Sequence, residues 1–139
     1  MIQIFRWQDW NTDIRGYGDS DWAGDKTTYK STSGGVILWG GDAIKSWAST
    51  QQTIALSSGE AELYALTKAN SQSMGILQML RDFGIEGDAQ VYSDSTAAIG
   101  IVSRHGLGRT RHIKVQYLWI QEKILNGEVD VKKVEISVI

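Results

Sequence analysis

The stretch GYGDSDWAGDKTTYKSTSGGVILWGGDAIKSWAS, residues 16–49, sets the pattern of the first half of the chain. Apolar and polar residues alternate only weakly over Arg15–Trp22, whereas Ser33–Trp39 is a short apolar run that begins next to glycines. A Gly-Gly-Asp turn at 40–42 follows, and Ala43–Ser49 alternates between apolar and polar residues. The stretch therefore predicts three consecutive antiparallel strands.

Beyond this stretch the hydrophobic period becomes helical. Ser57, with Glu60 three residues later, has the spacing of a capping box, and apolar residues recur at helical intervals as far as Phe83. Gly84 is placed where a helix would end. The pattern predicts one long helix, or two helices with a break near residues 70–75.

The rest of the chain adds two strands and two helices. A short apolar strand is predicted at Ala89–Ser93, a helix at Ser95–Ser103, an amphipathic helix around Ile113–Ile124, and a last strand at Val129–Val138. The order βββ-αα-β-α-α-β predicts an α/β fold in which helices cover a mixed sheet.

Length and composition exclude several classes of protein. With 139 residues, 42% of them hydrophobic, the chain suits one globular domain. No run of about 18 apolar residues is present, and the first ten residues lack the apolar core of a signal peptide. The absence of cysteine excludes disulfides, thiolate metal sites and a cysteine nucleophile, and we expect an intracellular setting, cytoplasmic or nuclear.

Charge is unevenly distributed although the net charge is only −2. Residues 9–25 contain five acidic residues and one basic residue, whereas residues 95–121 contain no acid, three arginines, one lysine and both histidines. This pattern is typical of two solvated faces, or of a metal site beside a phosphate-binding surface.

Three acidic residues occupy positions that chemistry could use. Asp19 lies in the first predicted strand, Glu62 in the first turns of the long helix, and Asp94 at the end of the fourth strand. Each has an ordinary alternative: Asp19 as a turn residue, Glu62 as an acid favoured by the helix dipole, and Asp94 as a helix N-cap. If the three converge, their mutual repulsion calls for a hard divalent cation such as Mg²⁺ or Mn²⁺. Two such ions about 4 Å apart can activate water and stabilise the leaving oxygen of a phosphodiester.

The segments GYGDSDWAGD…KSTSG, ALSSGEAELYAL, VYSDSTAAI and RTRHI, in this order, resemble the ribonuclease H domain of copia-type LTR retrotransposon Pol polyproteins. The resemblance runs from about Arg15 to Val134. It implies a ribonuclease H-like fold: a five-stranded mixed sheet, its first three strands antiparallel, with helices on both faces. It also implies a magnesium-dependent endonuclease that cuts the RNA strand of RNA–DNA hybrids, with the reverse transcriptase domain of the same polyprotein as a partner.

The family's active site contains four carboxylates, and motif matching implies that Asp19, Glu62 and Asp94 are catalytic metal ligands. Asp21 and Glu60 are the alternatives within the same motifs. The family's fourth aspartate follows the last strand, at the start of a closing helix, and no residue here matches it. We therefore expect residues 1–139 to be a single domain that is C-terminally truncated, with that final helix absent. A catalytically inactive domain that only binds nucleic acid or a polymerase partner is the alternative function.

The basic stretch supplies candidate nucleic-acid ligands, which are Arg104, Arg109, Arg111 and His112. The alternative is that Arg109 and Arg111 only cap or flank the helix that begins near His112, and that His112 has a structural role. Trp22, Trp39 and Trp47 are predicted to be core residues rather than stacking platforms, because tryptophan buries a large area.

Overall fold

The structure, a computed structural model, describes residues 13–24, 27–52, 54–102 and 116–134. Their elements are β1 (Ile14–Asp21), β2 (Thr32–Trp39), β3 (Asp42–Thr50), α1 (Ser58–Asp82), β4 (Ala89–Ser93), α2 (Thr96–Val102), α3 (Gln116–Leu125) and β5 (Val129–Lys133).

The strands form one five-stranded mixed sheet in the order β3-β2-β1-β4-β5. β1 pairs antiparallel with β2, and β2 antiparallel with β3, which confirms the predicted antiparallel first three strands. β4 lies parallel to β1, and β5 parallel to β4. Gly40, at φ 61°, supports the tight connection between β2 and β3, because a side chain there would be strained.

The long helix is continuous, so α1 is one helix of 25 residues rather than two. The Ser57 side chain caps it by accepting a hydrogen bond from the Glu60 N–H at 3.1 Å. The Glu60 carboxylate accepts from the N–H of Leu56, one residue before the cap residue, so the cap extends into the preceding loop. After α1, Gly84 adopts φ 81°, and Ile85 N–H bonds back to the Leu80 carbonyl.

α1 packs closely on one face of the sheet because β1 presents glycines to it. A Cβ at Gly18 would lie 2.9 Å from the carbonyl oxygen of Ala65 and 3.1 Å from the Cβ of Ala69. Around this contact Leu63, Leu66, Ile14, Ile37 and Val91 form the centre of the buried core. α2 packs against α1, and α3 against α2 and β5.

The tryptophans only partly follow the prediction. Trp39 and Trp47 are partly buried and pack against the core. Trp22, however, is 49% exposed, because it follows the end of β1 rather than lying within the sheet.

Candidate metal centre

Two of the candidate carboxylates leave the sheet side by side from neighbouring parallel strands. Tyr17 of β1 pairs with Tyr92 of β4, and their rings stack with centroids 4.9 Å apart and an interplanar angle of 15°. Asp19 comes two residues after Tyr17, on the same face of β1, and Asp94 comes two residues after Tyr92, directly past the end of β4. The register of the β1–β4 pair therefore brings Asp19 next to Asp94.

The third carboxylate reaches the same place from α1. Glu62 is the fifth residue of the helix, and its Oε1 accepts a hydrogen bond of 2.8 Å from the Ser20 hydroxyl and one of 3.3 Å from the Ser20 N–H. The Ser20 N–H also lies 2.9 Å from Asp19 Oδ1. Ser20 thus ties the end of β1 to the start of α1 and holds both carboxylates in place.

Asp19, Glu62 and Asp94 form a compact anionic cluster. Each offers one oxygen, and these oxygens lie within 4.8 Å of one another. Burial raises the pKa of Glu62 from 4.5 to about 7; the charges of Asp19 and Asp94 add to the rise, and the Ser20 hydrogen bond opposes it. Glu62 Oε2 is buried and has no hydrogen-bond partner among the described residues.

This donor set fits a divalent cation. All ligand atoms are carboxylate oxygens, which suit Mg²⁺ and Mn²⁺, and a cation would offset both the mutual repulsion and the burial of the unpartnered Oε2. Asp19, Glu62 and Asp94 are the residues that would hold it.

The two alternative acids have other surroundings. Glu60 is buried and accepts hydrogen bonds from the Tyr64 hydroxyl and the Leu56 N–H, so it holds the loop before α1. Asp21 is the last residue of β1, and its carboxylate lies close to Gly24. Neither belongs to the cluster that the described residues form.

The N-cap alternative for Asp94 does not hold, because Ser95 caps α2. The Ser95 hydroxyl accepts a hydrogen bond of 3.1 Å from the Ala98 N–H, and the Ser95 carbonyl accepts one of 3.1 Å from the Ile99 N–H. Asp94 is exposed, and its carboxylate belongs to the candidate metal centre.

Sequence reasoning missed Ser20. The signal was present in the motif Asp-Ser-Asp: alternation puts the middle residue of the three on the α1 side of the sheet, opposite to its acidic neighbours. The predicted nucleic-acid ligands Arg104, Arg109, Arg111 and His112 lie outside the described residues, and their role stays a prediction.

Comparison with solved structures defines the class of fold. The chain superposes on LC11-RNase H1, isolated from compost by a metagenomic approach, with a TM-score of 0.68, 16% identity and coverage of 91% of this chain and 87% of that one. LC11-RNase H1 in complex with an RNA/DNA hybrid gives a TM-score of 0.57 at 14% identity, covering 90% of this chain and 87% of that one. Prototype foamy virus protease–reverse transcriptase gives 0.52 at 14% identity, covering 88% of this chain and 17% of that one. The protein therefore has the ribonuclease H-like fold.

Sequence comparison finds relatives among the polyproteins of plant transposons. The chain is 34% identical over 127 residues to the retrovirus-related Pol polyprotein from transposon TNT 1-94 of Nicotiana tabacum, and 31% identical over 122 residues to that from transposon RE1 of Arabidopsis thaliana. These matches cover 89% and 85% of this chain but only 10% and 8% of the relatives. The chain is homologous to a segment of the retrovirus-related Pol polyproteins of plant transposons. No protein-family model matches it. None of the helices in the described ranges combines the length and hydrophobicity that crossing a membrane requires.

Proposed function

We propose that this chain is a copia-type retrotransposon ribonuclease H, which hydrolyses the RNA strand of RNA–DNA hybrids with two Mg²⁺ ions. The observation that carries the proposal is the convergence of Asp19, Glu62 and Asp94 within 4.8 Å on a ribonuclease H-like fold. The homology to Pol polyproteins supports it, because their reverse transcription would make such hybrids.

The three carboxylates have distinct proposed roles. Asp19 would hold both ions, Glu62 would hold the ion beside the leaving group, and Asp94 would hold the ion beside the attacking water. Bound ions supply Lewis acidity for the water and for the leaving oxygen. Ser20 orients Glu62 through its hydroxyl and both Asp19 and Glu62 through its N–H. The products would carry a 3′-hydroxyl and a 5′-phosphate.

The proposed substrate is recognised by shape. A hybrid presents a wide, shallow minor groove with 2′-hydroxyls, which lets a protein distinguish RNA from DNA without reading base edges. Arg104, Arg109, Arg111 and His112 are the proposed phosphate ligands. The proposed partner is the reverse transcriptase domain of the same polyprotein, and the proposed place of action is intracellular, in the cytoplasm or nucleus.

Cleavage of a hybrid labelled on its RNA strand tests the proposal. With Mg²⁺, we expect RNA fragments from the hybrid and none from the matching DNA duplex, and we expect Asp19→Asn to abolish cleavage. Glu122→Gln is the matched control, because Glu122 is exposed on α3 outside the cluster. Cleavage that survives Asp19→Asn would contradict the proposal.

A second candidate is a domain that binds nucleic acid or the polymerase without cutting. It is favoured by the number of acids: the family resemblance implies four carboxylates, and the described residues bring three together. Hybrid binding with no cleavage, at Mg²⁺ or Mn²⁺ concentrations that saturate the centre, would select this candidate.

A further inference from the structure

Trp22 is an exposed aromatic residue that follows the strand carrying Asp19. It is 49% exposed and comes three residues after Asp19, directly after the end of β1. Three residues of extended chain span about 10 Å, so the Cα atoms of Asp19 and Trp22 lie within about 10 Å of each other. A tryptophan left half-exposed next to a polar site is unusual when the fold offers a core, since burying it would be favourable.

The ring is held in a fixed orientation. Its Nε1–H donates a hydrogen bond of 3.2 Å to the carbonyl of Ala55, in the loop before α1. The next residue, Ala23, adopts φ 52°, and its N–H donates a 2.9 Å hydrogen bond to the hydroxyl of the fully buried Ser31. A non-glycine residue with positive φ is uncommon, and such strain persists only where the surroundings impose it. The turn at Ala23 and the bond to Ala55 therefore hold Trp22 in its half-exposed position.

Two other exposed apolar residues flank Ala55, which Trp22 contacts, and with Trp22 they form an apolar surface. Ile54 and Leu56, on either side of Ala55, are 48% and 71% exposed. This surface adjoins the start of α1, the helix that carries Glu62. Acidic residues, Asp19 and Asp21, precede Trp22 on β1, so the local charge repels phosphates while the indole offers a neutral contact.

We infer that Trp22 is a substrate-positioning residue whose indole packs against a sugar of the nucleic acid. The inference rests on the proposed function. A nucleic acid strand advances about 3.4 Å per nucleotide, so a residue whose Cα lies within about 10 Å of the Asp19 Cα meets a nucleotide a few steps from the phosphate at the centre. The sugar is uncharged and offers C–H groups that can pack against an aromatic ring, and the shallow minor groove of a hybrid exposes it. Trp22 thereby fixes the register of the strand on the centre.

Steady-state cleavage of a hybrid by Trp22→Ala, Trp22→Phe and Phe83→Ala tests the inference. We expect Trp22→Ala to raise KM about 10-fold with kcat nearly unchanged, because the lost contact is apolar and remote from the reacting atoms. Trp22→Phe should retain most of the affinity. Phe83→Ala is the matched control: Phe83 is 77% exposed but follows Glu62 by 21 residues, about 30 Å along α1, and its KM should not change.

A second measurement uses the unsubstituted sequence, so that it does not depend on how Trp22→Ala folds. The protein is labelled with 5-fluorotryptophan, and the Trp22 fluorine resonance is identified by its loss in Trp22→Phe. Saturating hybrid should shift this resonance. An unchanged KM in folded Trp22→Ala, or an unmoved resonance, overturns the inference while leaving the proposed function intact. A chain that neither cleaves nor binds the hybrid overturns both. If the chain binds without cleaving, the Kd replaces KM, with the same expected 10-fold rise.

Discussion

Replacing Glu62 by glutamine should stabilise the metal-free protein at pH 8 and do almost nothing at pH 4.5. Burial, with Asp19 and Asp94 adding to it, raises the pKa of Glu62 from 4.5 to about 7. The folded state therefore holds a proton on Glu62 that the unfolded state has already released between pH 4.5 and pH 7. As the pH rises through this window the folded state must ionise Glu62 at a cost, and the free energy of unfolding falls.

The size of the effect follows from the pKa difference. A rise in the Glu62 pKa from 4.5 to about 7 means that the ionised carboxylate lowers the free energy of unfolding by at most about 3.4 kcal/mol. Glu62 is only partly buried, so screening by solvent reduces this to about 1–2 kcal/mol. For a chain of 139 residues, that is an increase in Tm of about 3–7 °C. Glutamine keeps an oxygen that can accept the Ser20 hydrogen bonds, so the substitution removes mainly the charge.

Thermal unfolding in EDTA at pH 4.5 and pH 8 measures this effect, with Glu122→Gln as the exposed control. We expect Glu62→Gln to raise Tm at pH 8 only, and Glu122→Gln to change Tm little at either pH. A gain of equal size at both pH values, or no gain at pH 8, would refute the electrostatic reasoning. Saturating Mg²⁺ should reverse the order at pH 8, because the ionised Glu62 then becomes a ligand and Glu62→Gln weakens binding.

Three further predictions concern the centre and the packing around it. Asp94→Asn should abolish cleavage of the hybrid and reduce the Mg²⁺-dependent rise in Tm; retention of both would contradict its role as a ligand. Gly18→Ala should lower the free energy of unfolding, measured with urea, by about 1–3 kcal/mol, because the added Cβ would collide with α1. Gly75→Ala should instead raise the free energy of unfolding by up to about 1 kcal/mol, because Gly75 lies in α1 with open space around it. Asn70→Leu should stabilise the fold by about 1 kcal/mol in the same assay, because the Asn70 side chain is fully buried without a hydrogen-bond partner in the described part of the chain; destabilisation would indicate a partner such as buried water.

The elements of the fold could be predicted because they follow local patterns. The glycine turn at 40–42 and the change of period at Ser57 located β2, β3 and α1. The continuity of α1 could not be read from the sequence, since polar residues near 70–75 interrupt the apolar spacing. There the packing against β1 maintains the helix: Gly16 leaves room for Ser73, which is fully buried.

The choice between neighbouring acids needed tertiary information. Glu60 and Glu62 lie two residues apart on α1, which points them in different directions, but which direction meets β1 depends on how the helix sits on the sheet. The structure turns Glu62 towards Ser20 and Glu60 towards Tyr64. The prediction that Trp22 is a core residue was wrong for a related reason. Tryptophan is buried on average, but the turn at Ala23 leaves Trp22 half-exposed.

The stacked rings of Tyr17 and Tyr92 hold together the two strand ends that lead to Asp19 and Asp94. Because the rings and the β1–β4 hydrogen bonds fix the spacing of the two backbones, any adjustment to an ion of different radius would fall to the exposed side chains of Asp19 and Asp94. Loading the centre would then leave the backbone of this sheet edge almost unmoved.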